Sequence, residues 1–313
     1  MEIIKKWFGR KTIHKGKTAI ALGGGGARGV AHLGILKYLE DNGYHCDFLV
    51  GTSAGAIFGA LYLLSQDSDD AYERLKDALE NLEGGKKFLG ITNNKSSVLA
   101  NLKEKLYLAK SLFSISILEQ EPLQKFLTVL IGKDKTFKDL KKTLYVVATD
   151  LNTGKDVVFS QGELLAPLMA SSSLPGVFPP VKFQNYCLID GGTTQKLPSR
   201  IAYMLGAQKV LGVDVGSAIL PKENFSGAAQ VMIRSEEIAS AILHRQNCRA
   251  ANLLLAPYFN DFKWYDFKRH SEAFDIGYNE ALKQKRTIDR FFKRDKNKNR
   301  LKFMLGEESV LVE

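Results

Sequence analysis

Residues 48–64 read FLVGTSAGAIFGALYLL, where a short apolar run passes through small residues into a longer apolar run. The stretch is at the lower edge of the length that spans a bilayer, and Gly51, Thr52, Ser53 and Gly55 interrupt it. A buried strand, a tight turn and a helix explain this pattern better than a membrane span does. We therefore predict a strand–turn–helix unit here.

The preceding stretch has the same organisation. TAIAL (18–22) is a short apolar run that ends in four glycines, and apolar residues then recur with helical spacing from Arg28 to about Asp41. Gly43 is placed to end that helix. The chain thus opens as strand, glycine loop, helix, strand, turn and helix. This order is typical of an α/β fold with a mainly parallel sheet and crossover helices.

Further strand signals follow along the chain, at 144–149, 157–159, 187–190, 210–215 and 253–255. Later helices are predicted from about Ala228 and over 271–292. The stretch 94–140 is mostly helical in pattern and predicts a helical insert, either packed as core or lining a groove with Phe113, Ile115, Ile117, Leu118, Phe126 and Leu127. We expect one domain over 17–292 that contains the insert, a basic N-terminal arm over 1–16 and a basic C-terminal tail over 293–313.

Composition excludes several classes of protein. With 45% hydrophobic and 25% charged residues, the 313-residue chain is neither disordered nor collagen-like. Its 44 Lys and Arg exceed its 34 Asp and Glu, and the excess lies at the two ends. Basic ends indicate contact with an anionic partner such as a membrane or nucleic acid, or simply solvated tails.

The cysteines and the N-terminus suggest a location. Cys46, Cys187 and Cys248 are widely spaced and form no C-x-x-C pair, so we expect a reducing compartment and neither a disulfide framework nor a cysteine-based zinc site. The N-terminus has no apolar segment of the kind found in secretory signals. These features predict a cytoplasmic protein, with peripheral contact at the inner face of the membrane as an option.

The glycine loop GGGGARG (23–29) is the first of three motifs with chemical meaning. Its backbone can turn N–H groups toward a phosphate or an oxyanion, and the helix that follows adds positive potential. A dinucleotide site is disfavoured because Asp47 precedes the second strand instead of ending it, and no Lys-Ser/Thr pair completes a P-loop. Arg28 in the first helical turn predicts an anionic or carbonyl partner, or exposure to solvent.

GTSAG (51–55) matches G-x-S-x-G, in which a nucleophilic serine occupies a sharp strand-to-helix turn. Such a turn needs small neighbours, and Thr52 and Ala54 meet this need. Ser53 would lie at a helix N-terminus, where a developing alkoxide is favoured. The alternative is a tight turn in which Ser53 only caps the helix.

DGG (190–192) follows a predicted strand, and Asp-Gly is first of all a turn signal. As a functional residue, Asp190 would take the proton from Ser53. A carboxylate in water is a poor base, with a pKa near ~4, so this role requires burial. The three motifs together are expected by chance in on the order of one chain in a thousand.

Histidine and metal ligands are candidates for completing such a site. His244 or His270 could follow Ser53 and an acidic residue in the chain order of an α/β-hydrolase triad, but neither lies in a loop with supporting signals. No H-E-x-x-H or similar metal-binding spacing is present. The residues therefore favour a Ser53–Asp190 dyad without metal or cofactor.

With these motifs, the chain resembles the patatin-like phospholipase family, specifically its single-domain bacterial members. GGGGARG resembles the oxyanion loop of that family, GTSAG its nucleophile elbow, and DGG its Asp-Gly-Gly motif. ASSSLPGVFPPV (170–181) resembles a further family block. The resemblance covers about residues 17–216. One departure is Gln195, which stands in a region where the family commonly has Asn.

The resemblance implies a three-layer α/β/α fold and hydrolysis of acyl esters in lipids. Ser53 would be the nucleophile and Asp190 the general base. The implied site also includes the oxyanion loop Gly24, Gly25, Gly26, Ala27, Arg28 and Gly29, the elbow residues Gly51, Thr52, Ala54 and Gly55, and the Asp-loop residues Gly191 and Gly192.

The implied partner is a lipid or a membrane surface, and no nucleic acid is expected. Apolar residues among the lysines of the N-terminal arm predict either an interfacial anchor or a disordered tail. Two other functions stay open: a soluble short-chain esterase, and a lipid-binding member of the same fold with an idle dyad.

Overall fold

The computed structural model describes residues 17–81, 115–216, 219, 221–293 and 311–312. The strands are β1 (Lys17–Leu22), β2 (Phe48–Thr52), β3 (Thr143–Asp150), β4 (Asp156–Phe159), β5 (Val181–Phe183), β6 (Tyr186–Asp190), β7 (Ala207–Val213), β8 (Leu253–Leu255) and β9 (Leu311–Val312). The α-helices are α1 (Ala31–Asp41), α2 (Ala54–Leu64), α3 (Ser68–Asn81), α4 (Glu121–Ile131), α5 (Leu165–Ser171), α6 (Gly192–Gln195), α7 (Ser199–Met204), α8 (Ala228–Ala250), α9 (His270–Lys283) and α10 (Lys285–Lys293). Short 3-10 helices cover Gly26–Val30, Phe137–Asp139 and Phe267–Arg269.

The strands form one nine-stranded sheet in the order β5-β6-β3-β2-β1-β7-β8, with β4 paired to β3 and β9 paired to β4. Its middle is parallel, because β1 pairs in parallel with β2 and β7, β2 with β3, and β7 with β8. The pairs of β3 with β4, β3 with β6, and β5 with β6 are antiparallel. The expectation of a mainly parallel sheet is confirmed.

Helices cover both faces of the sheet, which explains the continuous apolar runs of its central strands. Ile20 and Leu22 of β1 belong to the larger core cluster, together with side chains from α1, α2 and α4. Ala19 and Ala21 belong to a second cluster that includes side chains of α7. Since alternate residues of a strand point to opposite faces, β1 lies between two helical layers, and the fold is the expected three-layer α/β/α arrangement.

The strand-to-helix unit around Ser53 is confirmed, with β2 ending at Thr52 and α2 beginning at Ala54. No helix among the described residues is long and apolar enough to cross a membrane. Two expectations change in detail. The helix predicted over 271–292 is two helices separated at Gln284, and the described part of the insert is helical only over Glu121–Ile131 and Phe137–Asp139. Residues 94–114 of the insert, the arm over 1–16 and most of the tail lie outside the described residues.

The strand register brings two distant parts of the chain together. β2 pairs with β3 as far as Thr52, opposite Val147, while β4 occupies the other edge of β3. β6 then takes over the edge that β2 leaves, with Asp190 opposite Ala148. Because Ala148 directly follows Val147, the ends of β2 and β6 meet on β3. Ser53 and Asp190 are therefore neighbours, although they are far apart in sequence.

Candidate active site

Ser53 lies on a sharp turn between β2 and α2, with φ of 54° and ψ of −125°. Its positive φ is rare for a residue with a side chain and is a feature of strained functional turns. The turn is possible because its neighbours are small: a Cβ on Gly55 would lie 2.1 Å from the carbonyl oxygen of Leu22. This close approach explains why the motif has glycine there.

Ser171 holds the backbone of the turn. Its hydroxyl accepts a hydrogen bond from the Ser53 amide at 2.8 Å and donates one to the Val147 carbonyl at 2.6 Å. Ser171 is completely buried at the end of α5. The sequence analysis included this residue in the family-like block 170–181 but gave it no role, because it is 118 residues from Ser53. It is a positioning residue for the serine.

Asp190 at the end of β6 is 4% exposed and accepts a hydrogen bond from the Ser53 hydroxyl. Its Oδ1 also accepts a hydrogen bond from the Gly192 amide at 2.7 Å. Burial raises the pKa of Asp190 to about 6, although the hydrogen bonds from Ser53 and Gly192 and the charge of Lys196 oppose the rise. A carboxylate with this pKa is ionised at neutral pH and is a better base than an exposed aspartate.

The glycine loop passes beside Ser53, since a Cβ on Gly24 would lie 3.2 Å from the Ser53 Cβ. Three of its amides already donate to backbone carbonyls, and the first of these is Gly23, which donates to the Val213 carbonyl at 3.0 Å. Gly24 donates to the Lys196 carbonyl at 2.9 Å, and Ala27 donates to the Trp264 carbonyl at 2.6 Å. Gly25 and Gly26 lie between them and line the same cavity as Ser53.

The side chain of Arg28 supports the loop through two hydrogen bonds to backbone carbonyls. Its guanidinium donates to the carbonyls of Val215 at 3.0 Å and Phe262 at 3.2 Å, which confirms the expected carbonyl partner. Burial lowers the pKa of Arg28, and Asp214 partly offsets this. Gly29 is packed against α2, where a Cβ would lie 2.6 Å from the Ala54 Cβ.

His32 supports the first glycine of the loop. It is fully buried, and burial lowers its pKa to about 4, so the ring is neutral at physiological pH. Nε2 lies 2.8 Å from the carbonyl oxygen of Gly23, to which it donates. The two histidines considered for a triad, His244 and His270, contact other residues. His244 contacts Asp214, His270 contacts Tyr72, and neither lines the cavity that contains Ser53.

Ser53 and Asp190 open into a cavity of about 390 Å³. Its wall is mainly apolar, formed by Ala54, Ile57, Phe58, Leu123, Phe126, Leu174, Pro175, Phe178, Trp264 and Phe267. Phe126 of the insert is thus a cavity residue, whereas Leu127 is core and Ile115 is exposed. Polar groups of the wall include Lys196, Glu236 and Ser240. Among the described residues, Asp214, His244 and Cys248 form a group that could hold a metal ion, and they do not line this cavity.

Gln195, the departure from the family pattern, points away from the dyad. Its Nε2 donates to Asp156 Oδ2 at 2.9 Å, and the side chain is buried. Thr194 also donates to Asp156. The loop after Asp190 is therefore anchored to the start of β4, and Gln195 leaves the carboxyl group of Asp190 free to contact Ser53.

The chain is similar in sequence to several known proteins. A family model described as patatin-like phospholipase matches residues 20–203, which include all three motifs. Patatin-like phospholipase domain-containing protein 6 of Mus musculus is 29% identical over 287 residues, covering 83% of this chain and 20% of that protein. Lysophospholipase NTE1 of Kluyveromyces lactis is 26% identical over 295 residues, covering 86% of this chain and 19% of that protein.

The chain thus spans about a fifth of the length of these relatives. Among solved structures, VipD from Legionella pneumophila superimposes with a TM-score of 0.44 at 16% identity, covering 89% of this chain and 67% of that one. The family match extends over more than half of the sequence. The chain belongs to the patatin-like phospholipase family.

Proposed function

We propose that this protein is a serine acyl hydrolase that cleaves carboxylic ester bonds of phospholipids or lysophospholipids. One observation carries the proposal: the Ser53 hydroxyl donates to a buried Asp190 inside a mainly apolar cavity. The serine is on a strained turn, its partner has a pKa raised to about 6, and the cavity offers an apolar wall to an acyl chain. Family membership supports the same chemistry.

The reaction proceeds in two halves. Ser53 Oγ attacks the ester carbonyl carbon while Asp190 takes the hydroxyl proton, and the resulting tetrahedral oxyanion collapses to an acyl-serine. The leaving alcohol takes its proton from Asp190. A water molecule then attacks the acyl-serine, Asp190 accepts a proton from it, and the fatty acid is released as Ser53 regains its proton.

The amides of Gly25 and Gly26 are the best placed to stabilise the oxyanion. They line the same cavity as Ser53, and their neighbours Gly24 and Ala27 donate to other carbonyls. Of the six residues in the predicted oxyanion loop, we therefore assign Gly25 and Gly26 as the hydrogen-bond donors. Arg28 and His32 hold the loop in place. A donor of this kind typically contributes ~2.7–4 kcal/mol to transition-state stabilisation.

Replacement of Gly26 tests the loop. Gly26 has φ of +60°, and a Cβ there would lie 2.3 Å from the Trp264 carbonyl oxygen, so Gly26→Ala must displace the loop. We expect kcat to fall about 10²–10³-fold, the usual effect of losing an oxyanion donor. Gly43→Ala is the matched control, since Gly43 has φ of +69° but nothing within 4 Å of its Cβ position. Normal kcat in Gly26→Ala would remove this loop from the mechanism.

Chain-length preference tests the substrate class. Each methylene that enters the apolar cavity contributes about 0.8 kcal/mol, so kcat/KM is expected to rise about fourfold per methylene until the cavity is filled. We expect a lysophospholipid to be a better substrate than a short-chain chromogenic ester. The reverse order would favour the soluble esterase. Binding of lipid without turnover of either substrate would favour a lipid-binding member.

Peripheral contact with an anionic membrane is part of the proposal, because the substrate resides there. The basic arm and most of the basic tail lie outside the described residues, but α8 borders the cavity through Glu236 and Ser240 and has an exposed apolar surface. The exposed fractions there lie between 46% and 72%, at Val231, Met232, Ile233, Ile238 and Ile242.

Vesicle flotation separates the contributions of the arm and the helix. Removal of residues 1–15 should weaken binding to anionic vesicles, since each Lys or Arg near such a surface contributes about 1 kcal/mol. High salt should have the same effect. Unchanged flotation of the truncated protein would exclude the arm as an anchor. The double variant Met232→Ser, Ile233→Ser in the full chain tests the surface of α8 by the same assay.

A further inference from the structure

Three side chains of metal-ligating types meet at the carboxyl end of β7. Asp214 directly follows β7, and His244 and Cys248 are one helical turn apart on α8. His244 Nε2 lies 2.9 Å from Asp214 Oδ2, and Cys248 Sγ lies 3.6 Å from each of these two atoms. All three residues are partly buried. None is assigned a role in the proposed hydrolysis, and all lie outside residues 20–203 of the family match.

The size of this triangle fits a tetrahedral zinc ion. Zinc bonds of about 2.3 Å to sulfur and about 2.0–2.2 Å to nitrogen and oxygen place tetrahedral ligands about 3.3–3.6 Å apart. The two edges that include sulfur already have this length. The edge between Nε2 and Oδ2 must lengthen by about 0.4 Å when a cation replaces the hydrogen bond between them. The imidazole ring must also turn, because Sγ lies 3.8 Å from Nδ1 as well and is not in the direction of the Nε2 lone pair.

The surroundings orient the carboxylate toward the other two groups. The Gly216 amide donates to Asp214 Oδ1 at 2.8 Å, which leaves Oδ2 directed at His244 and Cys248. A Cβ at position 216 would lie 2.9 Å from Oδ1 and 3.4 Å from His244 Nε2, so the side of the cluster at Gly216 accommodates only a very small residue. Fixed partners of this kind are the usual support of metal ligands.

A cysteine nucleophile is the competing explanation, and the geometry disfavours it. In a Cys-His-Asp triad, the thiol and the carboxylate bond to opposite ring nitrogens. Here the carboxylate bonds to Nε2, while the thiol lies at similar distances from both nitrogens, 3.6 Å from Nε2 and 3.8 Å from Nδ1. Burial and the neighbouring Asp214 raise the pKa of the Cys248 thiol to about 12, against the opposing charge of Lys196. A divalent cation bound beside the thiol would favour its thiolate form.

We propose that Asp214, His244 and Cys248 bind one zinc ion, with water as the fourth ligand. Thiolate, imidazole and carboxylate are the ligand set that zinc takes in proteins, and a site with three protein ligands retains one open position. Binding releases the Cys248 proton, and the two anionic ligands neutralise the charge of the ion. The ion fastens α8 to the end of β7, and α8 supplies Glu236 and Ser240 to the cavity wall.

A metal link of this kind would stabilise α8, which has few fully buried residues. Of the 23 residues of α8, Asn247 and Ala250 are the fully buried ones, and both are near its C-terminal end. The metal site is at the same end of the helix. Zinc should therefore raise the melting temperature of the protein, and this effect does not depend on the proposed hydrolysis.

Metal titration of the reduced, untagged protein is the test. We expect one equivalent of Zn²⁺ to bind, and Co²⁺ to give a thiolate-to-cobalt charge-transfer band in the ultraviolet. In Cys248→Ser and His244→Gln the affinity should fall at least tenfold, since even the loss of outer partners of a metal site costs about 10–100-fold. Cys187→Ser is the matched control, because Cys187 is also a free, partly buried cysteine but lies in β6.

Each result has a defined meaning. Binding of one ion by the wild type and by Cys187→Ser, with loss in both ligand variants and unchanged circular dichroism of the metal-free proteins, supports the site. The wild-type melting temperature should then rise with Zn²⁺, while those of the two ligand variants do not. Absence of stoichiometric binding by the wild type overturns the proposal. Equal affinity in Cys248→Ser or His244→Gln overturns it as well.

Discussion

Ser53→Ala is expected to reduce the release of fatty acid from a lysophospholipid by about 10⁴-fold or more, the usual consequence of removing a catalytic serine. The reason is local, because Ser53 Oγ is the atom that forms the acyl-enzyme and no other serine hydroxyl among the described residues bonds to the Asp190 carboxyl group. Alanine keeps the small size that the turn requires. The measurement is steady-state hydrolysis of the lysophospholipid and of a short-chain chromogenic ester by wild type and variant.

Ser235→Ala is the control for this prediction. Ser235 is an exposed serine of α8 whose hydroxyl donates to the Val231 carbonyl at 2.9 Å, and it does not line the cavity. Its activity should equal that of the wild type. If Ser53→Ala retained full activity with its fold intact, the serine mechanism would be wrong. Lack of activity in the wild type itself would point to the lipid-binding alternative.

Asp190→Asn is expected to reduce kcat/KM by about 10²–10⁴-fold, the range attributed to a general base. Asparagine can still accept a hydrogen bond from the Gly192 amide, so the loop should keep its shape. The pH profile gives a second readout. Because the pKa of Asp190 is about 6 in the free protein, kcat/KM of the wild type should fall tenfold per pH unit below about 6. The residual activity of Asp190→Asn should lack this acidic limb.

The same substitution should stabilise the fold at neutral pH. Folding raises the pKa of Asp190 from its ordinary value of 3.8 to about 6, so the folded protein holds the carboxyl proton more tightly than the unfolded chain does. With respect to this group, stability is therefore highest below pH 3.8 and declines as the pH rises through about 6, by up to about 3 kcal/mol. An asparagine side chain at this position carries no charge and avoids this cost. Urea unfolding at neutral pH should show a higher free energy of unfolding for Asp190→Asn.

Asp150→Asn is the matched comparison, and we expect it to change the free energy of unfolding in the opposite direction. Asp150 is also buried, and burial would raise its pKa, but hydrogen bonds from Thr153 and Cys187 lower the pKa below its ordinary value. Loss of this carboxylate should destabilise the fold at neutral pH and leave the dyad in place, since Asp150 does not line the cavity. A destabilised Asp190→Asn would show that the buried carboxylate supports the structure instead of straining it.

The local sequence pattern was sufficient to predict the central strands and helices of the fold. The runs that became β1, β2 and β3 are short, apolar and separated by helical periodicity, and a parallel sheet covered on both faces requires such runs. The turn around Ser53 was also predictable, because only small residues fit where strand and helix backbones nearly touch. Spacing and residue type therefore identified Ser53, Asp190 and the glycine loop as candidates from the chain alone.

Tertiary structure was needed for the relations between these segments. The adjacency of Ser53 and Asp190 depends on β6 continuing the edge of β3 that β2 leaves, and strand order cannot be deduced from periodicity. The burial that raises the pKa of Asp190 has the same origin. Packing also brings Ser171 to the Ser53 amide, pairs the Gly24 and Ala27 amides with distant carbonyls, and places Asp214 beside His244 and Cys248. Each of these contacts joins residues that are far apart in the chain. Sequence patterns report local backbone preference and burial, whereas contacts of this kind depend on how whole elements pack.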